Sequence, residues 1–168
     1  MVGAAGRMPA TAKGARRLEQ QSRMTRTWTL RQVCVADAEQ IALHGCYRDD
    51  DAGRRPLYAA WVAPRIAAGQ YLGWFALEGG QVIAGAGAVL LDWGPTRANP
   101  GGQMARIVNV FTDPAVRRAG VARQLLQAVI LQCEALGIRE FNLAATPEGR
   151  SLYRSLGFDD YPAEMRRR

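Results

Sequence analysis

Cysteine is scarce in this chain, and what there is does not pair. Cys34, Cys46 and Cys133 show none of the spacings of a zinc or redox motif. An odd count in 168 residues argues for a reducing compartment and for inert or core-filling thiols. Long apolar runs are missing too. The longest, Val82 to Leu91, has ten residues with two glycines, half of the roughly 20 that a membrane-spanning helix needs. The N-terminus has arginines and alanines but no sustained apolar stretch, so it lacks the form of a secretory signal. A cytoplasmic location is the default expectation, with no membrane partner. No segment repeats. Histidine occurs once, at His44, and is expected as a solvated helix residue.

The net formal charge of +7 would point to nucleic acid if it were spread over the fold. Residues 1–26, however, hold six basic residues and one acid, and Arg166-Arg-Arg168 adds three more basic ones. Between residues 27 and 165, 13 basic residues stand against 14 acidic ones. The basicity belongs to the tails, so no nucleic-acid partner is expected. Residues 1–26 lack a periodic apolar face and read as a disordered basic extension. Residues 27–168 read as one domain, long enough to bury its own core.

Trp28 to Val35 alternates as a first strand, and Asp37 to Leu43 opens a helix with acids in its first turn. Gly45 to Pro56 reads as a charged loop. Its Asp49-Asp-Asp51 is either solvated or a rim attracting a cationic acceptor. Leu57 to Ala68 reads as a helix interrupted by Pro64 and ended by Gly69. Tyr71–Glu78 and Gln81–Leu91 form a hairpin about Gly79-Gly80. Asp92 to Gln103 is a loop carrying Trp93, expected to pack beneath it, with the lining of an acceptor pocket as the alternative. Glu140 to Ala145 alternates as a strand. Thr146 then reads as an N-cap with Pro147 at the first helical position, the helix stops before Gly157, and Phe158 to Met165 makes a brief edge strand. Strands and helices in this order make an α/β fold.

The chain is organised around Ile107 to Leu126. Ile107 to Thr112 is rich in β-branched and aromatic residues and is stopped by Asp113-Pro114. Val121, Leu125, Val129, Cys133 and Leu136 lay one apolar stripe along a helix. Between strand and helix lies Arg117-Arg-Ala-Gly-Val-Ala122. The first turn of a helix has unpartnered N–H groups and partial positive charge. Ala119 and Gly120 admit a phosphate close to the backbone, and Arg117, Arg118 and Arg123 add formal charge. The turn reads as a diphosphate cradle or as an ordinary strand-to-helix loop with solvated arginines.

Arg117-x-x-Gly120-x-Ala122, after a proline-terminated strand and before a leucine-rich helix, resembles the acetyl-coenzyme A motif of the GNAT acetyltransferase superfamily. The stretch Asn142 to Phe158, ending Leu152-Tyr-x-x-x-Gly-Phe158, is similar to that superfamily's closing block. The resemblance departs at Ala122, where glycine is commoner. It implies the GNAT fold: a mixed central β-sheet flanked by helices, with two splayed parallel strands holding acetyl-CoA. It further implies that the pantetheine arm pairs with Val110, Phe111 and Thr112, that the pyrophosphate rests on the amides from Arg118 through Val121 to Arg123, and that Thr146 offers the pantetheine a hydroxyl. No metal is implied.

The activity implied is acetyl transfer from acetyl-CoA to an amine of a small molecule or peptide, with direct attack in a ternary complex. A catalytically silent acetyl-CoA-binding module is the alternative, and a homodimer is left open. A backbone N–H at Val110 or Phe111 would stabilise the oxyanion. Tyr153 would be the general acid, since a phenol with an ordinary pKa of about 10 lies near a thiol leaving group. For the base, Asn109 cannot accept a proton at neutral pH. A water relay is preferred, with Asp92, Asp113 and His44 as rivals.

Overall fold

The computed structural model describes residues 26–165 and Arg167; the expected basic extension, apart from Arg26, lies outside the described residues. Five strands form one sheet in the order β1-β2-β3-β4-β5: β1 Thr29–Gln32, β2 Tyr71–Glu78, β3 Gln81–Asp92, β4 Gln103–Thr112 and β5 Glu140–Asn142. The first four pair antiparallel, and β5 pairs parallel to β4. Among the described residues there are four α-helices: α1 Ala38–Gly45, α2 Arg55–Ala67, α3 Val121–Ala135 and α4 Arg150–Arg154. The mixed α/β sheet expected from the sequence is the observed one.

Period-two alternation splits the strands between two cores. On β2, Leu72 and Ala76 pack with Val121, Leu125, Leu126, Val129 and Cys133 of α3. Tyr71 and Phe75 point the other way, onto Ile41 of α1 and Val62 of α2. Small residues dominate the middle of β3, where Ala84, Ala86 and Ala88 let α3 lie close. Polar side chains of α3 fix its rim: Trp28 Nε1 donates to Gln124 Oε1 at 2.9 Å, and Trp74 Nε1 to Gln132 Oε1 at 2.8 Å. The stripe ends one turn earlier than its spacing suggests. Leu136 is exposed, and Ile138 is buried instead.

The hairpin forms about Gly79-Gly80 with Glu78 opposite Gln81. Both glycines have positive φ, 57° and 83°, as a two-residue turn of matching twist requires. Several expectations change. Between Gly45 and Pro56 the chain is not a loop throughout, because Asp49–Arg54 forms a 3-10 helix that runs into α2. Pro64 does not interrupt α2: Ala68 N–H still reaches Pro64 O at 3.0 Å, and Arg65 Nη1 binds Trp61 O at 2.8 Å. The missing proline N–H thus removes one bond without ending the helix. β1 is shorter than expected. Residues 158–165 form no strand. β5 stops at Asn142 rather than Ala145 because it diverges from β4 there.

Candidate functional site: a forked sheet ahead of a helix N-terminus

The parallel ladder is three residues long. Met104 faces Glu140, Ala105 faces Phe141, and Arg106 faces Asn142, where Arg106 Nη1 donates to Asn142 Oδ1 at 3.0 Å. β4 then continues to Thr112 while β5 ends. Along residues 107–112 the β5 side of β4 therefore has no strand partner among the described residues. This fork is the splay that the resemblance to the superfamily implies, and it leaves backbone groups for an extended ligand arm.

On its other side β4 is bulged. Val108 pairs with Gly87 and Phe111 with Gly85, so Asn109 and Val110 together face Ala86. Asn109 takes φ 55°, a conformation unusual outside glycine. Such a bulge leaves one residue out of the ladder and bends the strand. It falls at Asn109 and Val110, and Phe111, back in the ladder opposite Gly85, follows it; Val110 and Phe111 are where an oxyanion donor was expected. A β-branched and aromatic run carries no mark of the bulge except an Asn among apolar neighbours.

β4 delivers the chain through a 3-10 turn, Pro114–Val116, to α3. Asp113 caps that turn, its Oδ1 accepting from Ala115 N–H at 2.8 Å. Arg118 and Gly120 are left-handed, with φ 65° and 92°, and curl the loop in the manner of anion-cradling turns. Gly120 is the N-cap of α3, and no side chain caps the helix. The N–H groups of Val121, Ala122 and Arg123 thus keep their binding capacity. A Cβ on Gly120 would meet nothing within 4 Å, so the space before the helix is open. Arg117 Nε binds Thr112 O at 3.2 Å, and Arg123 Nη2 binds Ser155 Oγ at 2.6 Å, tying α3 to the end of α4. Arg117, Arg118 and Arg123 are all exposed, and Ala119 is half-buried beside them.

Tyr153 sits on α4, packed on the α3-side core with its ring edge-on to Phe158 at 6.1 Å. A Cβ at Gly149 would lie 2.9 Å from the Tyr153 ring, so the glycine makes room for it. Burial pushes the phenol above its ordinary pKa, which keeps it protonated at neutral pH. Its hydroxyl bonds to no other described residue, and no buried side-chain polar atom among them lacks a partner, so the hydroxyl reaches solvent. Tyr153 lines a groove of about 1090 Å³ together with Trp93, Asn142, Leu143 and Ala145. The cradle residues 117–123 do not line that groove.

Trp93 is 66% exposed on that groove and does not pack beneath its loop. Thr146 is exposed and heads a turn, its carbonyl accepting from Gly149 N–H at 3.1 Å. It is not the N-cap of α4, a position held by Gly149. Glu148's own amide and the Thr146 hydroxyl hold the Glu148 carboxyl below the usual range.

The rival bases have other occupations. Asp113 is the cap just described, and Asp92 is the exposed last residue of β3, accepting from Gly94 N–H at 3.2 Å. His44 is not solvated: it is 4% exposed, stacked on Phe111 at 4.6 Å and edge-on to Phe75 at 5.4 Å. Gln40 Nε2, which can only donate, lies 2.9 Å from His44 Nε2 and occupies its lone pair. The sequence misleads here because α1 presents His44 to the sheet and Gly85 makes the space, a Cβ there falling 2.6 Å from His44 Nδ1.

Burial lowers the His44 pKa from 6.5 to about 4. Below 6.5 the unfolded chain takes up a proton that the folded chain refuses until about pH 4, so stability falls as pH drops through that window. The full effect is about 3 kcal/mol. Thermal melts at pH 7 and pH 4.5 should show a loss of several degrees in the wild type and a smaller loss in His44→Gln. Equal losses in both would contradict this assignment.

Residues 35–158 match the model of the acetyltransferase (GNAT) family. Among solved structures, the chain is similar to a GCN5-related N-acetyltransferase from Ralstonia eutropha JMP134, with TM-score 0.78 and 28% identity over 84% of this chain and 98% of that one. It is also similar to a predicted acetyltransferase with acetyl-CoA from Clostridium acetobutylicum, with TM-score 0.78 and 23% identity over 84% and 96% of the two chains. An aminoglycoside N-acetyltransferase in complex with CoA gives TM-score 0.68 at 20% identity, over 85% and 95%. No curated protein matches the chain. Together the forked sheet, the glycine-initiated helix and the match across residues 35–158 show that the chain belongs to the GNAT acetyltransferase family.

Proposed function

We propose that this chain is an N-acetyltransferase that binds acetyl-CoA in the β4–β5 fork and passes its acetyl group directly to an amine. The observation that carries the reading is the continuity of the site. The end of β4, which among the described residues has no strand partner on its β5 side, leads through residues 113–120 to the uncapped N-terminus of α3. One long ligand with a peptide-like arm and a diphosphate fits that sequence of features. Bound there, acetyl-CoA supplies an activated thioester.

The backbone of Val110, Phe111 and Thr112 holds the arm, and the amides from Arg118 to Arg123 hold the diphosphate. The amide of Val110 in the bulge, or that of Phe111 directly after it, meets the charge that develops on the thioester carbonyl oxygen. Tyr153 holds a proton for the departing thiolate, and Thr146 lies beside its helix as a pantetheine contact. The amine loses its proton to water, since Asp92, Asp113 and His44 are each engaged elsewhere. The acceptor is an amine of a small molecule or peptide, and the exposed Asp49 and Asp50 suit a cationic one. Residues 27–168 form the catalytic domain, residues 1–26 a basic extension, and the enzyme works in the cytoplasm. Among the described residues no helix is long and apolar enough to cross a membrane.

The test is release of free thiol from acetyl-CoA across a panel of small amines and peptides. Amine-dependent release with at least one class is expected. Tight acetyl-CoA binding with no release from any amine would make the chain a binding module instead.

A further inference from the structure

Beneath the bulge of β4 lies a polar assembly that none of the expected site residues accounts for. Asn109 Nδ2 donates to the Tyr58 hydroxyl at 2.9 Å and to the Tyr71 hydroxyl at 3.0 Å. The Tyr58 hydroxyl in turn lies 3.1 Å from Asn109 Oδ1, so it spans the whole amide. Tyr58 comes from α2, Tyr71 from β2 and Asn109 from β4. Two glycines make the space. A Cβ at Gly87 of β3 would fall 2.1 Å from the Tyr71 hydroxyl, and one at Gly45 of α1 would fall 2.8 Å from Asn109 Oδ1. Three elements, α1, α2 and β2, therefore converge on the amide that β4 carries, and β3 makes room for one of its partners.

We propose that Tyr58, Asn109 and Tyr71 form a clamp that fixes the bulge and so aims the Val110–Phe111 backbone at the thioester carbonyl. They are positioning residues, and the inference rests on the acetyl-transfer reading above. The bulge needs such a device because a left-handed Asn and a broken ladder both cost stability. Hydrogen bonds to two other elements, α2 and β2, over-determine the strained conformation, as strained backbone at functional sites requires. The clamp does not relay protons. Burial raises the pKa of both phenols, and a carboxamide takes no proton at neutral pH. What the assembly supplies is placement, where an error of about 1 Å costs on the order of 10²-fold in rate.

Asn109→Gly separates placement from backbone strain, because glycine adopts φ 55° freely. With the best amine from the panel, kcat of Asn109→Gly should fall about 10- to 100-fold, with KM for acetyl-CoA within about threefold of wild type. Tyr71→Phe and Tyr58→Phe, which keep their rings, should each lower kcat alone and add little in the Asn109→Gly background, since they act through it. A lowered melting midpoint with kcat within threefold of wild type would reduce the clamp to a structural role and overturn the proposal. So would additive losses in the double variants. A wild type inactive on every amine would instead remove the acetyl-transfer reading beneath it, and the clamp with it.

Discussion

Tyr153→Phe should lower turnover by about 10²–10⁴-fold, the usual contribution of a general acid. The variant keeps the ring, and so keeps the edge-on contact with Phe158 and the packing against the α3-side core. The hydroxyl it loses has no described protein partner, so no buried group is left unpaired. Folding and acetyl-CoA affinity should therefore change little. The phenol's raised pKa agrees with the role of an acid, because it holds its proton until a thiolate develops beside it. The loss should appear in kcat with KM for acetyl-CoA nearly constant, as for an interaction made only once bond breaking begins. Steady-state thiol release measures it. Turnover within about threefold of wild type corresponds to less than 1 kcal/mol and would remove Tyr153 from the mechanism.

The second large effect belongs to Gly120. Aspartate there would place a negative charge in the open space ahead of the α3 amides. Two like charges about 4 Å apart repel by about 4 kcal/mol at the effective dielectric of a protein surface. A loss of acetyl-CoA affinity on the order of 10²- to 10³-fold follows once salt screening is counted. Gly120 has φ 92°, so any side chain brings strain of about 1–2 kcal/mol. Gly120→Ala carries the same strain without the charge and is the necessary control. At a concentration 100 times its Kd, acetyl-CoA should stabilise the wild type by about 2.7 kcal/mol. A ligand-induced rise in melting midpoint should persist in Gly120→Ala and vanish in Gly120→Asp. An equal rise in all three proteins would contradict the cradle.

Much of the fold was legible in the residues. The α3 stripe from Val121 to Cys133, the Gly79-Gly80 turn and the strand-to-helix junction at Arg117–Ala122 obey short-range rules and stand where those rules place them, while the stripe's last member, Leu136, does not. The fork was legible only through resemblance to a family, because a strand that ends at Asn142 and one that ends at Ala145 have the same alternation. The bulge and its clamp were not legible. They depend on Tyr58, Tyr71 and Gly45 meeting Asn109, and on Gly87 meeting Tyr71, across long separations in the chain. His44 failed for a related reason. A single polar residue on a short helix looks solvated until the sheet beneath it proves to have a glycine and two phenylalanines in place. Trp93 failed in the opposite sense, since loop composition does not say which side of a loop a large ring will occupy.

The central claim is that the unpaired end of β4 and the N-terminus of α3 together form an acetyl-CoA site. Calorimetric titration of the wild-type chain with acetyl-CoA tests it most directly. One binding event per chain, displaced by free CoA, is the predicted result. No heat and no shift in melting midpoint at millimolar acetyl-CoA would contradict it.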